Sequence, residues 1–311
     1  MNLSVVTFMS NTEVVNKSLL SYVAMMQKEY TRIELIIYSD NTSIVPYLNN
    51  MHNVHVKVSP RVSKYRRILQ SIHDAKYDNI QYVDNDINLN IDSSLDFVKN
   101  FCAQDTYDIS WGIVEAASGV AGFVPSLIKI DKLLSHWLIR PCLWKFNMGI
   151  SVPGQIFVIK KNRFINKLPN IDTKFDDLML GMFVKEENLR PFCYNRLLGT
   201  ETPSLSFNDL LRQRKRWAQG YAECLQFASG RMKCFVIVHG IAYHELWIIE
   251  YFFFIMLLYI NPSVGALTIS FYLFTISHFD IKNIGWAIMY SIIFPIIHVV
   301  WSFRVCKFLF K

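Results

Sequence analysis

Apolar and polar positions change rhythm several times along the chain. Leu3 to Phe8 is a short β-branched run of the kind a buried parallel strand takes. From Val14 to Gln27 apolar residues recur at helical spacing, and Asn11 and Thr12 just before them supply helix-cap chemistry. Ile33 to Tyr38 predicts a second strand, closing in the polar turn Ser39-Asp40-Asn41-Thr42-Ser43. Val54 to Val58 predicts a third strand and Ile80 to Val83 a fourth, with a helix over Lys64 to Ala75 between them that is basic on one side through Lys64, Arg66 and Arg67. Strands alternating with helices of this length predict β-α-β units and a parallel sheet. Asp40 and Asp84 then both fall at carboxyl ends of strands, on the edge where open α/β sheets bind ligands.

The rhythm is harder to follow over residues 92–150, where Trp111, Trp137 and Trp144 with Phe123, Phe146 and scattered glycines suggest an irregular, aromatic-lined region. Such rings serve either as core or as a wall against which flat sugar faces stack. Pro153-Gly154-Gln155 leads into a strand over Ile156 to Ile159. Asp176 and Asp177 then open an apolar segment, Leu178 to Val184, that reads as a helix; carboxylates in a first turn are stabilised by the helix dipole. Leu205 to Ala228 reads as a longer helix with Gln213-Arg214-Lys215-Arg216-Trp217 at its centre, so that Gln213, Arg216 and Trp217 stand at i, i+3 and i+4 on one face.

Past Arg231 the pattern gives way to three apolar runs, at about 235–260, 264–279 and 284–303. The first and last are long enough to span a bilayer, and the middle one is near the lower limit. Trp247, Tyr251, Tyr272, Trp286 and Trp301 are candidate interface anchors. A globular part on the cytosolic side and a basic C-terminus (Arg304, Lys307, Lys311) demand an even number of crossings, so two crossings plus one interfacial or re-entrant segment are expected. Glu250 at membrane depth calls for a partner, with His239, His244 or a neighbouring helix as candidates. The organisation predicted is a globular domain over 1–230 followed by membrane-associated helices over 231–311.

Composition sharpens this picture. The 311 residues carry a net charge of +7, 52% hydrophobic residues and a mean hydropathy of +0.21. The apolar excess sits after Cys234, and the positive charge fits nucleotide phosphates or an acidic membrane face. Nucleic acid is not an expected partner, because the basic residues show no aromatic-interleaved patch outside the Gln213 helix. The six cysteines form no C-x-x-C pair, which argues for a reduced setting and against zinc. No secretory leader is expected, since the first apolar run already reads as a strand.

Candidate chemistry concentrates on Asp84-Asn85-Asp86, just past the fourth strand. Two carboxylates one residue apart can share a Mg²⁺ or Mn²⁺ ion, which takes one or two carboxylates together with substrate phosphates. Among fifteen aspartates a chance D-x-D is expected about once, so this pair is unspecific by itself. Gln213-x-x-Arg216-Trp217 is more specific, offering an amide, a guanidinium fork for phosphate oxygens and an indole face for a ring.

Taken in order, Asp40, Asp84-x-Asp86, Asp176-Asp177 and Gln213-x-x-Arg216-Trp217 resemble the family 2 glycosyltransferases with a GT-A (Rossmann-like) fold. The likeness is to the membrane-embedded branch of cellulose, chitin and hyaluronan synthases and ceramide glucosyltransferases, and runs from about residue 3 to 230. It implies a nucleotide-sugar donor, with Asp40 on the nucleobase or ribose, Lys64 reaching the same nucleotide, and Asp84 and Asp86 holding the donor with its Mg²⁺ or Mn²⁺. It further implies Asp177 as the base, and Gln213, Arg216 and Trp217 on the diphosphate and acceptor. The acceptor implied is a growing β-linked polysaccharide or a lipid-linked group at the cytosolic membrane face, with a second copy of the chain or a separate export protein as further partners. Ser39-Asp40 stands where the family often has two acids, and Asp176-Asp177 where Glu-Asp is usual. Two or three spans are too few for one chain to enclose a polymer channel. A scaffold with a degenerate transferase domain is the alternative from another class.

Overall fold

A computed structural model describes residues 1–10, 14–40, 48, 51–60, 62–278 and 280–310. The chain divides into two compact units, Met1–Val114 with Ser151–Thr202, and Glu115–Ile150 with Pro203–Lys311. The compositional change near residue 230 falls inside the second unit.

The first unit is built on a mixed sheet. Its strands are β1 (Asn2–Met9), β2 (Arg32–Ser39), β3 (Val54–Val58), β4 (Asn79–Val83), β5 (Ile87–Leu89), β6 (Ile109–Ala116), β7 (Ile156–Lys160) and β8 (Pro191–Glu201), in the order β3-β2-β1-β4-β7-β6-β8-β5. The expected parallel sheet holds for β3-β2-β1-β4 only; β7 pairs antiparallel to β4 and β6 antiparallel to β7. The physical reason is that β7 starts where the chain turns back at the ligand edge, so Val83 at the end of β4 faces Ile156 at the start of β7. The parallel strands read as near-continuous apolar runs because helices cover both of their faces. On one face lie α1 (Lys17–Glu29), with Leu19, Tyr22, Val23 and Met26, and α3 (Ile91–Ala103), with Leu95, Val98 and Phe101. On the other, α2 (Lys64–Asp74) buries Tyr65, Ile68 and Ile72. A row of rings follows the sheet there, Phe8 to Tyr82 at 6.0 Å and Tyr82 to Phe157 at 4.6 Å between centroids.

Asn11 and Thr12 lie outside the described residues; the cap of α1 is Asn16, whose side chain accepts from Ser18 N at 2.8 Å. Residues 92–150 are regular where an irregular region was expected, running through α3, β6 and α4 (Phe123–Leu133), then a π-helical stretch Leu134–Ile139 into α5 (Arg140–Lys145). Their tryptophans differ in setting, Trp111 being buried and Trp137 and Trp144 half-buried. Trp111 is fully buried, Trp137 Nε1 donates to Glu115 Oε1 at 3.0 Å, and Trp144 packs where a Cβ on Gly149 would stand, 2.4 Å away.

Away from the ligand edge, Asp108 ties three segments together. Its carboxylate accepts from Arg190 N, Nε and Nη2 at 2.9, 3.1 and 3.0 Å and lies 3.1 Å from Arg163 Nε, while its carbonyl accepts from Lys160 N. Burial works to raise the Asp108 pKa, but the Arg190 hydrogen bonds and the two guanidinium charges outweigh it and hold it below the ordinary value. A carboxylate depressed in the folded state stabilises above its unfolded pKa of about 3.9, and that contribution is lost as pH falls through the folded value. Asp108→Ala is expected to cost about 1–3 kcal/mol at neutral pH, both arginines being half-exposed. In urea unfolding the gap between variant and wild type should close as pH drops below about 4.

The second unit is helical. α7 (Phe207–Phe227) begins at Ser206, whose hydroxyl accepts from Asp209 N at 3.2 Å. α8 (Gly230–Gly240) continues through a π-helical turn into α9 (Leu246–Ile260), followed by α10 (Pro262–Ile276) and α11 (Ile284–Leu309). Gly230–Ile260 and Ile281–Leu309 are long and apolar enough to cross a membrane, and Pro262–Ile276 is shorter. Asn261 caps α10 from the turn, and Gly265 is required there because a Cβ would stand 2.8 Å from the Leu258 backbone. Glu250 hydrogen-bonds Tyr272 on the neighbouring helix; among its candidate histidine partners, His239 stacks on Tyr243 and His244 lies 3.0 Å from His298 between Nδ1 atoms.

Candidate active site

Local folding brings five charged side chains to the ligand edge of the first unit. Lys64 opens α2 behind its cap Ser63. Asp84 follows β4, and its N–H donates to Gln155 O at 2.8 Å, continuing the β4–β7 pairing by one residue. Asp176 and Asp177 form the first turn of α6 (Asp176–Glu186), tied to the loop before β7 by the Val152 N–H, which donates to Asp177 O at 3.1 Å.

Lys64 Nζ stands 2.6 Å from Asp84 Oδ1 and 2.7 Å from Oδ2, donates to Gly154 O at 2.7 Å, and is 3.5 Å from Asp176 Oδ2. Asp86 adds its charge to Asp84, and Asp177 to Lys64. Gly154 is required by this packing, since a Cβ there would lie 3.0 Å from Asp176 Oδ2 and 3.3 Å from Lys64 Nζ. Burial works against the Lys64 charge, yet Asp84 and Asp176 outweigh it and its pKa lies above the ordinary lysine value. Burial pushes the Asp84 carboxyl up, with Lys64 pulling against it and Asp86 and Asp176 adding to the rise. The side chain of Asp84 keeps 26% exposure, which moderates that rise without reversing it.

Four carboxylates around one ammonium leave a surplus of negative charge. Asp176 Oδ2 is buried and accepts no hydrogen bond from any described residue. Asp84 and Asp86, one residue apart just past β4, are carboxylates of the kind a hard dication takes together with phosphate and water. No group of three His, Cys, Asp or Glu that could hold a metal ion occurs among the described residues.

The turn carrying Asp84 and Asp86 is held from behind. The intervening Asn85, buried at 8% exposure, accepts from Asn16 N at 2.9 Å and donates to Val14 O at 2.9 Å. Asn16 Nδ2 returns the contact to Asn85 O and Ile87 O at 2.9 and 2.8 Å. The residue that caps α1 thus also fixes the D-x-D turn, a role that D-x-D spacing does not reveal. Asp40 follows β2 on the same edge, two strand spacings from β4, or about 10 Å. Its Oδ1 is buried and hydrogen-bonds no described residue. Asp177 Oδ1 accepts from Leu178 N at 2.9 Å, holding the carboxylate at the helix start.

The remaining expected residues lie on α7 in the second unit. Gln213 and Trp217 are half-buried and Arg216 is exposed. The buried guanidinium belongs instead to Arg214, 2.5 Å from Asp131 Oδ2 of α4 and 4.4 Å from the Trp217 ring centroid. Tyr290 of α11 donates to the other oxygen of Asp131 at 3.1 Å, and Phe294 packs over Arg214. Arg214 and Asp131 therefore orient Trp217, and nothing in the sequence separates Arg214 from its basic neighbours.

The mixed sheet has the GT-A fold, as its likeness to solved structures shows. Two solved structures carry the comparison further. A mannosyltransferase from Pyrobaculum calidifontis in complex with GDP-Man and Mn²⁺ is 12% identical with a TM-score of 0.53, covering 96% of this chain and 86% of that one. Glucosyl-3-phosphoglycerate synthase from Mycobacterium tuberculosis, in complex with Mn²⁺, UDP and glucosyl-3-phosphoglycerate, is 16% identical with a TM-score of 0.51, covering 72% of this chain and 79% of that one. No family model matches the chain, and neither does any curated protein.

Proposed function

We propose that the chain is an inverting family 2 glycosyltransferase of the membrane-embedded synthase branch, moving a sugar from a nucleoside diphosphate donor to a growing β-linked polysaccharide at the cytosolic face. The observation that carries this is the meeting of Asp84, Lys64, Gly154 and Asp176 at the ligand edge of a GT-A sheet, with Asp177 beside them. UDP and GDP-sugar ligands in the similar structures support a donor of that class.

In this mechanism Asp40 accepts a hydrogen bond from the nucleobase or ribose. Asp84 and Asp86 hold a Mg²⁺ or Mn²⁺ ion, which when bound neutralises charge on the leaving diphosphate. Asp177 takes the proton from the acceptor hydroxyl, whose pKa lies far above 7 and so needs a base at hydrogen-bond distance. Attack on the anomeric carbon in one in-line step inverts it. Gln213, Arg216 and Trp217 bind diphosphate and acceptor, with Trp217 held by Arg214.

The two long apolar helices, Gly230–Ile260 and Ile281–Leu309, support attachment to a membrane through two crossings, with one further segment interfacial or re-entrant. The apolar helices also support a second reading, single transfer to a lipid acceptor such as a polyprenyl phosphate or ceramide-like alcohol. A panel of sugar nucleotides incubated with the full chain in native-like membrane should show metal-dependent release of nucleoside diphosphate for one donor. Product length with that donor, radiolabelled, then separates polymer from single transfer. Absence of release with every donor, membrane acceptors being present, would favour a scaffold.

A further inference from the structure

We propose that Lys64 is a built-in counter-cation of the acidic site: its ammonium stands between Asp84 and Asp176, and a divalent ion takes that place only as the ammonium leaves. This rests on the reading of Asp84 and Asp86 as the metal-holding pair.

The geometry is that of a cation site already filled. The ammonium contacts both oxygens of Asp84, at 2.6 and 2.7 Å, and takes the Gly154 carbonyl at 2.7 Å as a third acceptor. Those are oxygen ligands of the sort a hard dication would take. Asp176 stands behind at 3.5 Å. An ammonium and a dication on the same carboxylate would repel strongly at such range, since like charges a few ångströms apart are poorly screened in a partly buried site. One cation therefore excludes the other. A fixed structural ion pair would serve equally well with any acidic partner. Here the partner is the metal-holding carboxylate itself, next to a glycine whose missing side chain keeps the ammonium's place open.

The backbone beneath Lys64 is tied down on several sides. Ser63 caps α2, Tyr65 OH donates to Pro169 O at 3.0 Å, and Arg67 Nη1 donates to Met9 O at 3.0 Å. The four-carbon stem can swing from this anchored base. Once displaced, the ammonium stays at the same edge of the sheet as an incoming diphosphate, so the charge that competes with the ion becomes a donor-binding charge. Metal loading is thereby coupled to donor arrival, and the site does not bind the ion tightly alone.

The test titrates Mn²⁺ alone, without nucleotide, into the full chain in detergent, read by electron paramagnetic resonance of the free ion. Lys64→Met is expected to bind Mn²⁺ at least about tenfold more tightly than wild type, and adding Asp86→Asn should abolish the gain. Unchanged or weaker binding by Lys64→Met overturns the proposal. Should that variant fail to fold, labelling of wild-type Lys64 by an amine reagent, read by mass spectrometry, decides: saturating Mn²⁺ should raise it several-fold, and no change overturns the proposal. Neither readout uses turnover. Failure of every sugar nucleotide to release diphosphate would defeat the transferase reading while leaving this result standing, and the converse pattern would defeat only the counter-cation.

Discussion

Replacing Asp177 by Asn is expected to lower sugar transfer by about 10²–10⁴-fold, the usual contribution of a positioned general base, while nucleotide-sugar binding stays near its wild-type value. The amide is nearly isosteric and its oxygen can still accept from Leu178 N, as the carboxylate does at 2.9 Å, so the start of α6 should survive. What the change removes is the proton acceptor. The carboxylate stands in the first turn of α6, where a helix N-terminus stabilises negative charge. Donor affinity measured by calorimetry beside the transfer rate checks the split. Equal loss of both would make Asp177 a structural residue of the α6 start.

The second large effect is expected from the acidic turn. Excess EDTA should stop turnover, and Asp86→Asn should lower it by about 10²–10³-fold, the scale seen when one preorganised group stabilising transition-state charge is lost. Asp86 is the better position for the test. Substituting Asp84 would strip Lys64 of its closest partner, 2.6 Å away, and confound loss of metal with an unpaired ammonium. The Asn16–Asn85 clasp leaves the turn itself in place. Restoration of the EDTA-treated enzyme by added Mn²⁺ or Mg²⁺ completes the measurement. Full activity in excess chelator would remove the metal role from both aspartates.

Much of the fold is legible along the chain because the parallel strands are buried on both faces. Leu3 to Phe8, Ile33 to Tyr38 and Ile80 to Val83 had to be apolar and β-branched to sit there, and the observed strands extend them by a residue or so. The helix from Lys64 and the helix opened by Asp176-Asp177 were equally readable from periodicity and charge. Residues 92–150 were not. There β6 is buried on both faces and α4 packs into an apolar cluster with α11, so neither shows a clean alternation. The antiparallel entry of β7 was hidden for another reason: strand direction depends on where the preceding loop turns, and no local pattern encodes that.

The sequence by itself determined that a set of acids would stand at strand ends and helix starts of an α/β domain followed by apolar helices, because those placements follow from local periodicity and short-range caps. Only the tertiary structure decided which groups meet. It set Lys64 on Asp84 and Gly154, made Asn16 the clamp of the acidic turn, and buried Arg214 against Asp131 while leaving Arg216 in solvent. Each of those pairings joins residues at least twenty positions apart. Their strength comes from burial and from the geometry of sheet order and helix packing, which exist only once the chain is folded.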